Sequence, residues 1–157
     1  MKKILVTGGC GYKGSILIPK LLEKGYFVVC LDTQWFGSYL EKSPNLEIIK
    51  SDIRNIDSLS LKDIDSIIHL ANVANDPAVE LNPTMSWEIN VLAGQQLIDK
   101  AVRENVKHFI FASSGSVYGV KSEDRVTEEL SLVPISTYNK TKTVSYTHLR
   151  AHETELD

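Results

Sequence analysis

An α/β fold built on a doubly wound parallel sheet is predicted by three observations. Five short apolar runs recur along the chain, stretches with helical spacing separate them, and a glycine triplet stands between the first run and the first helix. The runs are KKILVT (2–7), YFVVCLD (26–32), LEIIKSD (46–52), DSIIHLA (65–71) and KHFIFAS (107–113). Their continuous Ile, Val, Leu and Phe content suits strands buried on both faces. SILIPKLLEKG (15–25) predicts the first helix, closed by Gly25, with Pro19 about one turn from the expected start, where a missing N–H costs less than in mid-helix. Residues 85–104 predict a longer helix with apolar positions three to four apart. Strands and helices alternating with right-handed crossovers place ligands outside the carboxyl ends of the strands.

Bulk properties narrow the function classes. The chain has 157 residues, 43% hydrophobic and 24% charged, enough for one core and too few for a second domain of ordinary size. A net charge of -3, with 17 basic residues scattered along the chain, leaves no footprint for nucleic acid or an anionic membrane, so neither is expected as a partner. Cys10 and Cys30 make no disulfide framework, and MKKILVTGG lacks the length of a signal-peptide core. No apolar stretch is long enough to span a bilayer. A reducing cytoplasm is the expected setting.

The first run leads directly into TGGCGYKG, in which Gly8, Gly11 and Gly14 are spaced three apart at the opening of a helix. Glycines there allow a tight turn and close approach of backbone to a pyrophosphate, which the free N–H groups of the helix start then hold. Asp32 closes the second run eighteen residues past Gly14. A carboxylate at that place can accept both ribose hydroxyls of NAD and repels a 2′-phosphate, so strand, glycines, helix and acid together read as a Rossmann fold that favours NAD. Trp35 and Phe36, just beyond Asp32, read as local packing, and His69 as a core or strand-end histidine.

Six landmarks in order, TGGCGYKG, SDI (51–53), HLAN (69–72), EINV (88–91), SSGSVYG (113–119) and YNKTK (138–142), make residues 1–142 similar to the extended short-chain dehydrogenase/reductase superfamily. Within it, the sequence resembles the NAD-dependent nucleotide-sugar epimerase/dehydratase branch. The resemblance implies that Tyr12 and Lys13 lend backbone N–H groups to the pyrophosphate, and that Asp52 and Ile53 border the adenine. Leu70, Ala71 and Asn72 then line the central phosphate and ribose region, and Asn90 supports the active-site backbone. It also implies a nucleotide-sugar substrate and a homodimeric parent protein.

Ser114, Tyr138 and Lys142 carry the expected chemistry. The YxxxK spacing sets Tyr138 and Lys142 one helical turn apart on one face. A tyrosine titrating near pH ~10 is a poor base at neutrality unless a nearby positive charge favours the phenolate, which Lys142 and an oxidised nicotinamide would supply. In the mechanism the resemblance implies, Tyr138 takes a proton from a sugar hydroxyl while that carbon gives hydride to NAD, and Ser114 hydrogen-bonds the same oxygen. The 4,6-dehydratases of the branch carry an acidic pair where this chain reads SGS (114–116), which favours an epimerase or a 4-keto reductase. A dinucleotide-binding sensor without catalysis is the second reading, opposed by the intact Ser, Tyr and Lys.

After Lys142 the pattern changes. TVSYTH is rich in β-branched residues without a sustained apolar stripe, which weakens the expectation of a helix. VSYTHLRAHET (144–154) also looks like the in-frame translation of a transposase adapter used to prepare sequencing libraries. Residues 1–143 are therefore expected to be an NAD-binding domain incomplete at its C-terminus, and 144–157 a non-native tail with few tertiary contacts from Ser145 onward. The substrate domain is expected to be absent and the fragment inactive. His148 and His152, with Glu153 beside them, lack a third ligand, so no metal site is expected.

Overall fold

Five strands, β1 (Lys3–Thr7), β2 (Phe27–Asp32), β3 (Leu46–Lys50), β4 (Ser66–His69) and β5 (His108–Phe111), pair in parallel in the order β3-β2-β1-β4-β5. This is the doubly wound order, and the direction of strand succession reverses between β1 and β4. The computed structural model describes residues 1–153, with side chains through Ala151. Period-two alternation sends Ile4 and Val6 to one face of the sheet, where they meet Ile18 and Leu21 of α1 (Tyr12–Glu23). Leu5 points to the other face and joins Leu97 and Ala101 of α4 (Ala93–Arg103). The sheet therefore carries a separate apolar core on each side.

The edge strands depart from the expectation of burial on both faces. In β3 Ile48 is 38% exposed, and in β5 Ile110 is 56% exposed. Edge position, which apolar content alone does not encode, decides this. Helix α1 starts three residues before the apolar pattern does, so Pro19 lies in its second half rather than one turn from its start. Gly25 ends it at φ +79, with its N–H on Leu22 O at 2.9 Å and Tyr26 N–H on Leu21 O at 3.2 Å. Nothing lies within 4 Å of where its Cβ would stand, so backbone conformation and not space calls for glycine.

The predicted helix over 85–104 is resolved into α3 (Pro83–Trp87), a π-helical turn over Glu88–Leu92 and α4. A short α2 (Asp76–Leu81), capped by the Asn75 side chain on Ala78 N–H at 3.0 Å, precedes them. Helix α5 (Thr137–Glu153) runs straight through the segment whose β-branched residues weaken the expectation of helix. The hydroxyls of Thr143, Ser145 and Thr147 donate to the carbonyls of Asn139, Thr141 and Thr143 at 3.0, 3.0 and 2.9 Å. Bonding back to the preceding turn satisfies these hydroxyls without breaking the helix. Ser145 is also buried, and His148 meets Asp99 at 3.3 Å, contrary to the expectation of few tertiary contacts. The expectation for Thr154 to Asp157 lies outside the described residues, as do the side chains of His152 and Glu153.

Candidate active site

A cavity of about 460 Å³ opens at the carboxyl ends of the strands, between the loops that follow β1 and β4. The first loop is shaped by contact. Gly8 has φ +70, and a Cβ there would lie 2.5 Å from Ala71 N in the loop after β4. A Cβ on Gly14 would collide with Gly9 O, so the first turn of α1 sits directly on the glycine loop. Gly11 supplies no side chain to cap α1, whose first residues, Tyr12 and Lys13, line the cavity. Uncapped first-turn N–H groups at a helix start are donors suited to an anion.

Asp32 organises the next wall. Its Oδ2 accepts the N–H of Cys10 at 2.9 Å and its Oδ1 the N–H of Gln34 at 2.6 Å, which ties the end of β2 to the glycine loop. Each oxygen keeps acceptor capacity for ribose hydroxyls. Asp52 and Ile53 also line the cavity, but the Asp52 carboxylate is occupied: Arg54 reaches it through its backbone N–H at 2.9 Å, Nε at 3.1 and 3.2 Å and Nη2 at 2.8 Å. The guanidinium beside it holds the Asp52 carboxyl below the usual carboxylate range, while Arg54 Nη1 reaches Glu88 at 2.8 Å.

At the opposite end stand Tyr138 and Lys142 of α5, with Leu70, Ala71 and Asn72 between. Lys142 is buried; its Nζ donates to Ala112 O at 2.8 Å and lies 4.7 Å from the Phe111 ring centroid. Burial first, and Lys13 second, lower its pKa to about 8. The ammonium stands 6.0 Å from the Tyr138 ring centroid, on the shared face the spacing predicts. Burial raises the Tyr138 pKa, the Ser114 hydroxyl partly opposes this, and Asp76 adds to it. Ser114 is also hydrogen-bonded to Ser116 at 2.7 Å between hydroxyls.

Two supports lie behind the cavity. Asn90, in the π turn, accepts Val73 N–H at 2.7 Å and donates to Val73 O at 3.1 Å, which fixes the loop after β4. The widened turn leaves Asn90 O for the Ser145 hydroxyl at 2.8 Å, so α5 is anchored to the same residue. Thr7 Oγ1 meets His69 Nδ1 at 2.6 Å and accepts Ala71 N–H at 3.3 Å, joining the tips of β1 and β4. His69 is buried as expected, and burial holds its pKa down to about 3.

The cavity thus unites Gly8, Gly11, Tyr12, Lys13, Asp32, Asp52, Ile53, Leu70, Ala71, Asn72, Tyr138 and Lys142. Gly14 and Asn90 act from behind it, and Ser114 stands at its edge while Ser113 lines it. Sequence reasoning missed Thr7, Arg54 and Ser145; a threonine closing an apolar strand before a glycine loop was the one local signal. Among the described residues, no group of three His, Cys, Asp or Glu side chains is placed to hold a metal.

The family model described as the NAD dependent epimerase/dehydratase family matches residues 4–156. The chain belongs to the NAD-dependent epimerase/dehydratase family. NAD is this family's cofactor, and the residues fit it: a glycine loop with no room for side chains, uncapped amides and an acid with spare acceptor sites line one continuous cavity. Relatives include the UDP-glucose 4-epimerase of Lactobacillus helveticus, 32% identical over 144 residues, covering 89% of this chain and 44% of that protein. Among solved structures, the UDP-Glc/GlcNAc 4-epimerase of Campylobacter jejuni superposes with a TM-score of 0.91 at 25% identity, over 99% of this chain and 50% of that one. The UDP-glucose 4-epimerase of Thermus thermophilus in complex with NAD gives 0.88 at 26%, over 98% and 51%. The chain spans about half the length of these relatives. No helix among the described residues is long and apolar enough to cross a membrane.

Proposed function

We propose that these residues form the NAD-binding half of a nucleotide-sugar epimerase, and that turnover requires the further half its relatives possess. The observation that carries the reading is the single cavity running from Asp32 to Tyr138 and Lys142, which joins a dinucleotide cradle to a proton-transfer pair. NAD held there by the glycine loop and Asp32 would supply a reversible hydride acceptor for a sugar carbon, the chemistry an epimerase needs. Tyr138 takes the proton of the hydroxyl on that carbon and later returns it, while Ser114 hydrogen-bonds the same oxygen. Lys142, anchored on Ala112 O, keeps a positive charge beside the phenol. Asn90 holds the loop after β4 through Val73 and meets the Thr141 hydroxyl of α5 at 3.4 Å, which keeps the two in mutual register. A UDP-sugar substrate is supported by the relatives named above, and a homodimer by the apolar surface that Trp87 and Leu92 expose.

Tyr138→Phe in the full-length protein tests the assignment. It is expected to lower epimerisation of a UDP-sugar by about a hundredfold or more while NAD affinity stays within about twofold. Near-normal epimerisation by the variant would refute the role of Tyr138. Net reduction with stoichiometric NADH consumption and no epimer would replace the epimerase by a reductase.

A further inference from the structure

The two cysteines of the chain meet beneath the glycine loop. Cys10 stands in the middle of that loop and Cys30 in β2, with their sulfurs 3.8 Å apart and both thiols buried and free. The two are not placed alike. Cys30 is fully buried, and burial first and the Cys10 thiol second push its pKa up. Cys10 lines the cavity, so a small reagent entering there reaches it before Cys30.

A disulfide holds its sulfurs about 2.05 Å apart, so this pair has to close by about 1.8 Å. Little of that movement is open to Cys30, which lies between β1 and β3 opposite Val6 and Ile48. The loop has to move instead, and it has little slack. A Cβ on Gly9 would lie 2.6 Å from Cys30 Sγ, one on Gly8 would lie 2.5 Å from Ala71 N, and one on Gly14 would collide with Gly9 O. Cys10 N–H is held on Asp32 Oδ2 at 2.9 Å, and Gly8 N–H on Leu31 O at 2.8 Å. Directly after Cys10 come Gly11 and the uncapped first turn of α1, whose amides suit an anion.

We propose that Cys10 and Cys30 form an oxidative-modification site, in which a hydroperoxide converts the pair to a disulfide and the tightened loop loses its grip on the dinucleotide. With hydrogen peroxide, the Cys10 sulfur attacks one peroxide oxygen, the O–O bond breaks, sulfur keeps a hydroxyl as sulfenic acid and one water leaves. The Cys30 sulfur then attacks the Cys10 sulfur, the S–O bond breaks and a second water leaves. The two thiols give up two electrons and two protons, which the one peroxide takes up. A thiol reverses the bond by exchange, so in a reducing setting it is transient. Its effect on the dinucleotide rests on the NAD-binding reading above; the bond itself does not. Linkage fixes the converse: a disulfide that weakens NAD about tenfold becomes about tenfold easier to reduce when NAD saturates the chain, about 30 mV in potential.

Hydrogen peroxide is applied to the NAD-free chain, followed by alkylation and intact mass measurement under denaturing conditions. The expected product is a monomer lacking two hydrogens, with neither thiol alkylated, and dithiothreitol is expected to restore both. By calorimetry the oxidised chain is expected to bind NAD at least about tenfold more weakly, with the affinity regained on reduction and the far-UV circular dichroism unchanged. In Cys30→Ala, peroxide should leave a sulfenic acid on Cys10 that dimedone traps, and no disulfide. Two alkylatable thiols after peroxide, a lost circular dichroism spectrum on oxidation, or an oxidised chain that binds NAD within about twofold of the reduced one would overturn the proposal. A reduced chain that binds no NAD would overturn the NAD reading and the effect on the dinucleotide with it, while the mass still reports whether the pair closes.

Discussion

Replacing Lys142 by methionine tests whether the fold holds a charge at its own cost. The side chain is 5% exposed, and its pKa falls from 10.5 to about 8, through burial and then through Lys13. At about 1.4 kcal/mol for each tenfold change in proton affinity, holding the ammonium in the fold costs about 3 kcal/mol. Below the folded pKa of about 8, the folded and unfolded chains both carry the proton and the cost is complete. Between there and 10.5 the unfolded chain binds more protons, so the stability of the parent rises with pH; above 10.5 both are neutral and the cost has gone. Methionine keeps the length and removes the charge. It also forfeits the bond to Ala112 O and the contact with Phe111, a loss of about 1 kcal/mol that does not vary with pH. The stability of Lys142→Met relative to the parent should therefore shrink by about 2 kcal/mol between about pH 7.5 and about pH 9.5. Urea unfolding followed by circular dichroism at several pH values, with equal m-values as a control, measures it. A difference that stays flat would show that Lys142 titrates in the fold as a solvated lysine, and would refute its desolvation there.

Two further outcomes concern the ends of the chain's chemistry. Asp32 should make the chain bind NADP at least about tenfold more weakly than NAD, and Asp32→Asn, which can still accept from Cys10 N–H, should narrow the gap; equal affinities in the parent would place the carboxylate away from the ribose. Genomic DNA read across codons 142–154 should depart from the adapter-like sequence after Thr143, and the 157-residue chain should not turn over UDP-sugars. The same tail in independently cloned DNA, together with turnover by the chain, would make residues 144–157 part of the enzyme.

The strands and the glycine loop were legible because their causes are local. Apolar runs, a turn that only glycine fits and an acid at a strand end are each written within a few residues. The edge positions of β3 and β5 were not, because strand order is a property of the whole sheet: Ile110 reads as core in sequence and is half exposed in the fold. Trp35 and Phe36 failed for a related reason, since hydrophobicity predicts burial unless a ligand cavity claims the ring. EINVL reads as ordinary helix, and the partners its wide turn meets, Val73 and Ser145, are remote in sequence. The continuation of α5 runs against local propensity: Thr141 and Ser145 are buried, and the Thr143 and Thr147 hydroxyls bond one turn back without breaking the helix, neither of which a local pattern shows.

The π turn at Glu88–Leu92 also constrains how the gene can vary. A wide turn accommodates one residue more than a regular α-helix, so removing one codon there would leave α4 near its present phase and cost chiefly the hold of Asn90 on Val73. Removing one codon within α4 would instead rotate everything beyond it by about 100° and swing Ile98 and Ala101 toward water. The turn is thus a place where the length of this stretch can give without shifting the core face of α4, although no local residue announces it.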